Sequence, residues 1–219
     1  MVCASGGRVL YQGKEKKGHE GVKGSPAEFY DGTLIHDHEA TWQNYGKRHQ
    51  ECLAHVERYL RSSIENEPWL KWNKQMLEWI KEAVHWRNSM PEGGGADPQE
   101  IERLVERYGK ILEKAKEEYE YEPPGDYFKD GYNLYKRMWE DRDDYLLFLY
   151  DPSIPPTNNA AENAARKYKR KNAQVMCFRS GEGRDYFCDG LSVMESMRAD
   201  GENMYEGVRE RFNQGTGAV

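Results

Sequence analysis

Between Asp97 and Glu122 the chain carries Ile101, Leu104, Val105, Tyr108, Ile111, Leu112, Ala115 and Tyr119 at three- and four-residue steps. That spacing lines one face of a helix and cannot line one face of a strand, where side chains alternate sides at every residue. Asp97 is placed to cap the helix, with Pro98 at the first helical position and Glu100 on the first turn. A second stripe, Trp69, Trp72, Met76, Leu77, Ile80 and Val84, precedes it and stops at Met90-Pro91 and a Gly93-Gly94-Gly95 loop. One apolar stripe on each of two helices joined by a short loop predicts an antiparallel helical hairpin.

The rest of the chain is read around that hairpin. Residues 49–64 are predicted helical, with Cys52, Val56, Tyr59 and Leu60 on one side, and Pro68 stands where a first helical turn tolerates it. Further helices are predicted over 131–150, 159–171, 182–199 and 202–212, with a proline-rich loop at 151–157, an extended piece at 174–178 and a flexible tail at 213–219. The first 46 residues hold eight glycines, a weak helical pattern near Pro26 to Tyr30 and two short extended candidates, Arg8 to Gln12 and Thr33 to Asp37. Together these predict an α+β, mostly helical chain.

Leu, Ile, Val and Phe are 35 of the 219 residues, below the ~20% associated with disorder. The formal net charge is only -6, and 6 Trp, 15 Tyr and 6 Phe replace the missing aliphatic area. A folded, water-soluble chain with an aromatic core is expected. The longest strongly apolar run, Tyr145 to Tyr150, is six residues against the roughly 20 that a membrane span needs, so no membrane partner is expected. The N-terminal residues lack a secretory pattern, and four scattered cysteines do not make a disulfide framework. Both point to a reducing cytoplasm. The acidic total hides a local reversal: from Arg166 to Arg184 seven basic residues (Arg166, Lys167, Lys169, Arg170, Lys171, Arg179 and Arg184) face one acid, Glu182. A solvated helix end explains such an island, and so does contact with a phosphate backbone.

Taken singly, the chemical candidates have ordinary explanations. Asp37 ends a short strand, and Glu162 opens a helix whose dipole favours a carboxylate. His36 and His38 flank Asp37 and face the opposite side of a strand from it, so a His-Asp-His metal cluster would need a bend. Cys52 and His55 share a helix face, which is half of a zinc site, but no second close pair of ligands accompanies them. A buried thiol and a hydrogen-bonded imidazole are the expected roles. A Cys-His nucleophile pair and a small zinc-binding protein are the alternatives.

Four segments in order resemble the insertion-sequence-sixty-six family of bacterial DDE transposases. They are Ile35-His36-Asp37-His38, Cys52-Leu53-Ala54-His55, Thr157-Asn158-Asn159-Ala160-Ala161-Glu162 followed by Arg166, and Phe178-Arg179-Ser180 with Gly183. The resemblance implies a partial ribonuclease-H-like core, built of residues 1–65 and 146–212 and interrupted by a helical insertion over 66–145. It implies Asp37 and Glu162 as catalytic carboxylates holding Mg²⁺ or Mn²⁺ for phosphodiester cleavage and strand transfer. Arg166, Lys169, Arg170, Lys171 and Arg179 are the expected contacts to DNA, whether transposon ends or target. Cys52, His55, Asn158 and Asn159 are expected to be structural. A homodimer or other transposase subunits are the expected protein partners, in a bacterial cytoplasm close to the nucleoid.

The departures from the family pattern are as informative. Asn163 stands where the family usually has Arg, Glu39 where it often has Trp, and Met176-Cys177 where it tends to have two glycines. The family's first catalytic Asp lies on a strand upstream of the segment that here begins at Met1, and no Asp precedes Asp31. The expectation is a core fragment with weak metal binding and a loosely ordered or self-pairing stretch up to about residue 46. The alternative is a non-catalytic DNA-binding or dimerising remnant.

Overall fold

The computed structural model describes residues 1–90, 96–174 and 178–216. The chain divides into two compact units, one formed by Asp31–Asn158 and the other by Met1–Tyr30 together with the chain from Asn159 onward.

In the first of these, β3 (Thr33–His36) runs parallel to β4 (Arg48–Glu51), with Leu34 opposite His49 and His36 opposite Glu51. Helices follow: α2 (Leu53–Asn66), α3 (Trp72–Ser89), α4 (Pro98–Tyr121), α5 (Asp130–Glu140) and α6 (Arg142–Tyr150). The α4 stripe is buried as its spacing requires, with Leu104, Tyr108, Ile111, Leu112, Ala115 and Tyr119 all inside and Ile101 and Val105 packed at the margin. Asp97 accepts the Gln99 N–H at 3.0 Å, the cap that the sequence signals. Trp79 lies against Tyr108 and donates its indole N–H to the Leu104 carbonyl at 2.9 Å, so the ring is buried without an orphaned donor. Truncating a side chain of that size in such a site costs about 3–5 kcal/mol. Glu118 on α4 takes the backbone N–H groups of Lys71 and Trp72 at 2.8 and 3.1 Å, capping α3 from across the hairpin.

Four expectations are corrected in this unit. Residues 48–51 form a strand, and α2 begins only at Leu53. The strand is polar throughout, yet Gln50 is fully buried: its Oε1 accepts the Phe148 N–H and its Nε2 donates to the Glu51 carbonyl. Side-chain hydrogen bonds replace the apolar pattern that would have announced a strand. Pro68 and Trp69 lie before α3, which starts at Trp72, and Trp69 is exposed. Tyr59 lies outside the core under the Arg137 guanidinium, and Ser63 takes a buried place on α2. The predicted 131–150 helix is two helices separated at Asp141, where Asp143 and Asp144 supply the acidic first turn of a new helix.

In the other unit β1 (Val2–Ser5) and β2 (Arg8–Tyr11) form an antiparallel hairpin. Gly6 and Gly7 turn it at φ values of 55° and 79°, which two-residue hairpins of this hand require. The extended piece expected at Arg8 to Gln12 is the second strand of this hairpin, ending at Tyr11. After the short α1 (Gly18–Val22) come α7 (Asn159–Gln174), α8 (Gly181–Ala199) and α9 (Met204–Thr216). Tyr11 packs with Ala164, Cys188 and Leu191, and its backbone N–H donates to Ser192 Oγ at 2.9 Å. The hairpin is therefore packed on α8 and is not the loose segment expected. The last helix passes the Phe212 limit and reaches Thr216. The Gly93–Gly95 loop, most of the 174–178 extended piece and the last three tail residues lie outside the described residues, while Gln174 itself ends α7. Among the described residues no helix is long and apolar enough to cross a membrane.

Candidate functional site

Asp37 follows the last residue of β3, at the C-terminal end of a parallel strand, where open α/β sheets place their ligands. Its neighbours are tied to β4 on both sides. The His36 Nδ1 lies 2.7 Å from the Asp37 carbonyl oxygen, and because a carbonyl only accepts, that nitrogen carries the proton. The His36 Nε2 meets the His49 Nδ1 at 3.0 Å, with the rings edge to face. His38 donates from Nδ1 to Glu51 Oε1 at 2.9 Å, and Glu51 is only 2% exposed. The backbone is held as well: Glu39 N–H donates to the Asp37 carbonyl at 2.7 Å and Cys52 N–H to the His36 carbonyl at 2.8 Å. The bonds from His36 and Glu39 both go to the Asp37 carbonyl. Its half-buried carboxylate accepts no hydrogen bond and makes no ion pair with any described residue.

Burial, and then the neighbouring His36, hold the His49 pKa below the ordinary imidazole value, with Asp144 and Glu51 pulling the other way. Asp144 on α6 is pushed up by burial, and Gln43 Nε2 donates to it at 3.1 Å. His36 and His38 thus serve different partners.

Cys52 is fully buried at the start of α2. Its thiol donates to Asn158 Oδ1 at 3.1 Å, while the Asn158 N–H points back at the sulfur at 3.4 Å. With Leu53 N–H donating to the Pro156 carbonyl at 3.0 Å, the segment 156–158 is fastened to the start of α2. His55, half-buried, sits in the first turn of α2. Asn159 is exposed at the first residue of α7.

Glu162, in the first turn of α7, has a side chain 19% exposed and accepts from Arg166 Nη2 at 3.2 Å. It belongs to the unit that does not contain Asp37. The basic island divides by partner. Lys167 pairs with Glu195 on α8 and Arg184 with Asp185. Lys169, Arg170, Lys171 and Arg179 are exposed and make no ion pair with a described residue. Asn163, Arg166, Lys167, Lys169 and Arg170 line an open depression along α7, while Tyr168 turns inward onto Tyr11, Phe178 and Phe187.

Two residues beside Asp37 were missed in the sequence, His49 and Glu51. Both lie on the strand read as helix. The one signal that could have found them is the Gly46 turn at φ 75° preceding four residues with no helical stripe.

Comparison with protein-family models matches residues 3–185 to the model described as Transposase IS66 family. No curated protein and no solved structure matches the chain.

Proposed function

The chain belongs to the IS66 transposase family, and from that premise we propose that it is catalytic-core sequence of a DDE transposase in which Asp37 and Glu162 are metal-binding carboxylates. Segments 1–65 and 146–212 form the ribonuclease-H-like part in this reading, and 66–145 is its helical insertion. The observation that carries the reading is Asp37 itself, fixed through its backbone at a strand end while its carboxylate has no partner among the described residues. Carboxylate oxygens are hard donors suited to Mg²⁺ or Mn²⁺. Such ions, when bound, activate a water or 3'-hydroxyl and stabilise the leaving oxygen in phosphodiester cleavage and strand transfer.

The residues of the chain supply the rest. Arg166 neutralises Glu162 until a cation competes for it. Lys169, Arg170, Lys171 and Arg179, with Arg166, meet the phosphates of transposon-end or target DNA and hold its register without reading its sequence. A bacterial cytoplasm beside the nucleoid is the corresponding location. The unpaired cations of α7 equally support a second reading, a non-catalytic DNA-binding relative that pairs with itself or with other transposase subunits.

Manganese titration of the full chain tests the choice. Weak binding is expected in the wild type, about tenfold weaker or more in both Asp37→Asn and Glu162→Gln, with the double variant no worse than the poorer single one. Unchanged binding in both single variants would leave only the second reading. For DNA, Lys169→Ala with Arg170→Ala should weaken binding alike on all sequences and lower the salt slope by roughly 2, from about 0.9 per phosphate contact. Equal affinity at low salt would return the island to a solvated helix surface.

A further inference from the structure

We propose that His49 and Glu51, both on β4, are positioning residues that fix the orientation of Asp37; the proposal rests on the reading of Asp37 as a metal ligand. The strand ladder alone already holds β3 against β4, so it does not account for the ring contacts. The His49 ring reaches the His36 ring, and the His36 ring reaches the carbonyl of Asp37, one residue beyond the strand. With its Nδ1 proton committed to that carbonyl, a neutral His36 accepts at Nε2, so His49 Nδ1–H is the donor. The depressed pKa of His49 agrees with a neutral ring in that role.

The second tether works from the other side. Glu51 lies opposite His36 in the parallel register, is buried, and takes the Nδ1–H of His38. One grip therefore acts on the residue before Asp37 and one on the residue after it, and both originate two residues apart on one strand. What they constrain is the peptide plane on each side of Asp37, leaving side-chain rotation as its main remaining freedom. Replacing a buried polar pair by well-packed apolar side chains is often neutral or stabilising. The polar groups are therefore not needed to hold the sheet, and orientation of the carboxylate is the task left to them. Groups that orient a metal ligand from behind typically contribute 10- to 100-fold in metal affinity.

The test uses the full chain and the Mn²⁺ electron paramagnetic resonance signal, with melting temperature recorded alongside. His49→Phe keeps a ring and removes the donor; His49→Asn restores a donor near the Nδ1 position. His38→Phe releases the grip of Glu51 at a side chain 28% exposed. We expect His49→Phe and His38→Phe each to weaken Mn²⁺ binding about tenfold or more well below their melting temperatures, and His49→Asn to recover most of the loss. Wild-type affinity in both Phe variants, with binding lost in Asp37→Asn, overturns this proposal and leaves the metal reading standing. Wild-type affinity in Asp37→Asn overturns the metal reading of Asp37 and this proposal with it. If His49→Phe does not fold, His38→Phe decides alone: a tenfold loss supports the tether and parity removes it.

Discussion

Two carboxyl groups in the Asp31–Asn158 unit are about equally hidden, Glu51 at 2% exposure and Glu67 at 5%, and their surroundings differ in kind. Glu67 closes α2 in the middle of the helical body. Ser63 donates to its Oε2 at 2.8 Å, the Tyr119 hydroxyl stands 3.3 Å from both oxygens, and Asn73 reaches Ser63 and the Glu67 carbonyl. Among the described residues no cation pairs with it, and burial, assisted by Asp130, pushes its pKa up against the lowering effect of Ser63 and Tyr119. Glu51 faces an imidazole beside a half-buried aspartate. A carboxyl met by hydroxyls is a packing element whose charge is a liability. One met by a titratable ring next to an unpartnered carboxylate belongs to a region organised around charge.

The sharpest way to break the comparison is Gly131→Ala. A Cβ at Gly131 would stand 2.1 Å from Glu67 Oε2, 2.5 Å from Ser63 Oγ and 2.8 Å from the Tyr119 hydroxyl. The cluster must move or open, and a loss of about 2–3 kcal/mol in urea unfolding is expected. A change below about 0.5 kcal/mol, the scatter of ordinary surface substitutions, would mean that the cluster yields freely and is not packing-critical.

Tyr119→Phe comes next. It removes one donor from Glu67 and should cost about 1 kcal/mol at neutral pH, and less in acid, where a protonated Glu67 needs the donor less. An equal cost at pH 4.5 and pH 8 would show that the hydroxyl serves something other than the carboxylate.

Glu67→Gln is the smallest effect and the most diagnostic. With its folded pKa raised, the folded chain holds this proton where the unfolded chain has released it. Stability therefore falls as pH rises from the ordinary carboxyl value to the raised one and stays lowered above it. Glutamine abolishes that slope. The variant should match the wild type near pH 4 and exceed it at pH 8 by less than the Gly131 effect. A variant less stable at pH 8 than at pH 4 relative to wild type would put an unseen cation beside Glu67.

The same contrast explains what the sequence could announce. The α4 helix is legible because its cap, its first-turn proline and its stripe are all local, and its partner stripe on α3 lies within reach of a short loop. The Thr-Asn-Asn and Glu162 motif and the strand ending at Asp37 are legible as linear patterns. The β4 strand is not, because Arg48, His49, Gln50 and Glu51 carry no apolar alternation and are satisfied by bonds to Asp151, His36, Phe148 and His38 in turn, residues remote or on another strand. The Arg8 strand is legible as an extended piece, whereas its partner Val2–Ser5 is not, because what joins them is the positive φ of Gly6 and Gly7 rather than a side-chain pattern. The break at Asp141 turns on which of two acceptable helix patterns the acids favour, and propensity alone decides such cases weakly.

One feature of the chain path bears on how the molecule is made. The Asp31–Asn158 unit is continuous, whereas the hairpin of β1 and β2 belongs with α7, α8 and α9 and gains its partner only when the chain returns: Tyr11, whose backbone N–H donates to the Ser192 hydroxyl, stands 181 residues from it in sequence. A ribosome adding about 5–20 residues per second needs roughly 10–40 s to bridge that interval. For that time the β1–β2 hairpin waits with its apolar face uncovered, while the helical body behind it can already collapse around Trp79 and Tyr108. Isolated two-stranded hairpins are marginal in water, so a hairpin synthesised ahead of the helical body settles only after it, and a chaperone that binds extended apolar segments has that interval in which to meet it.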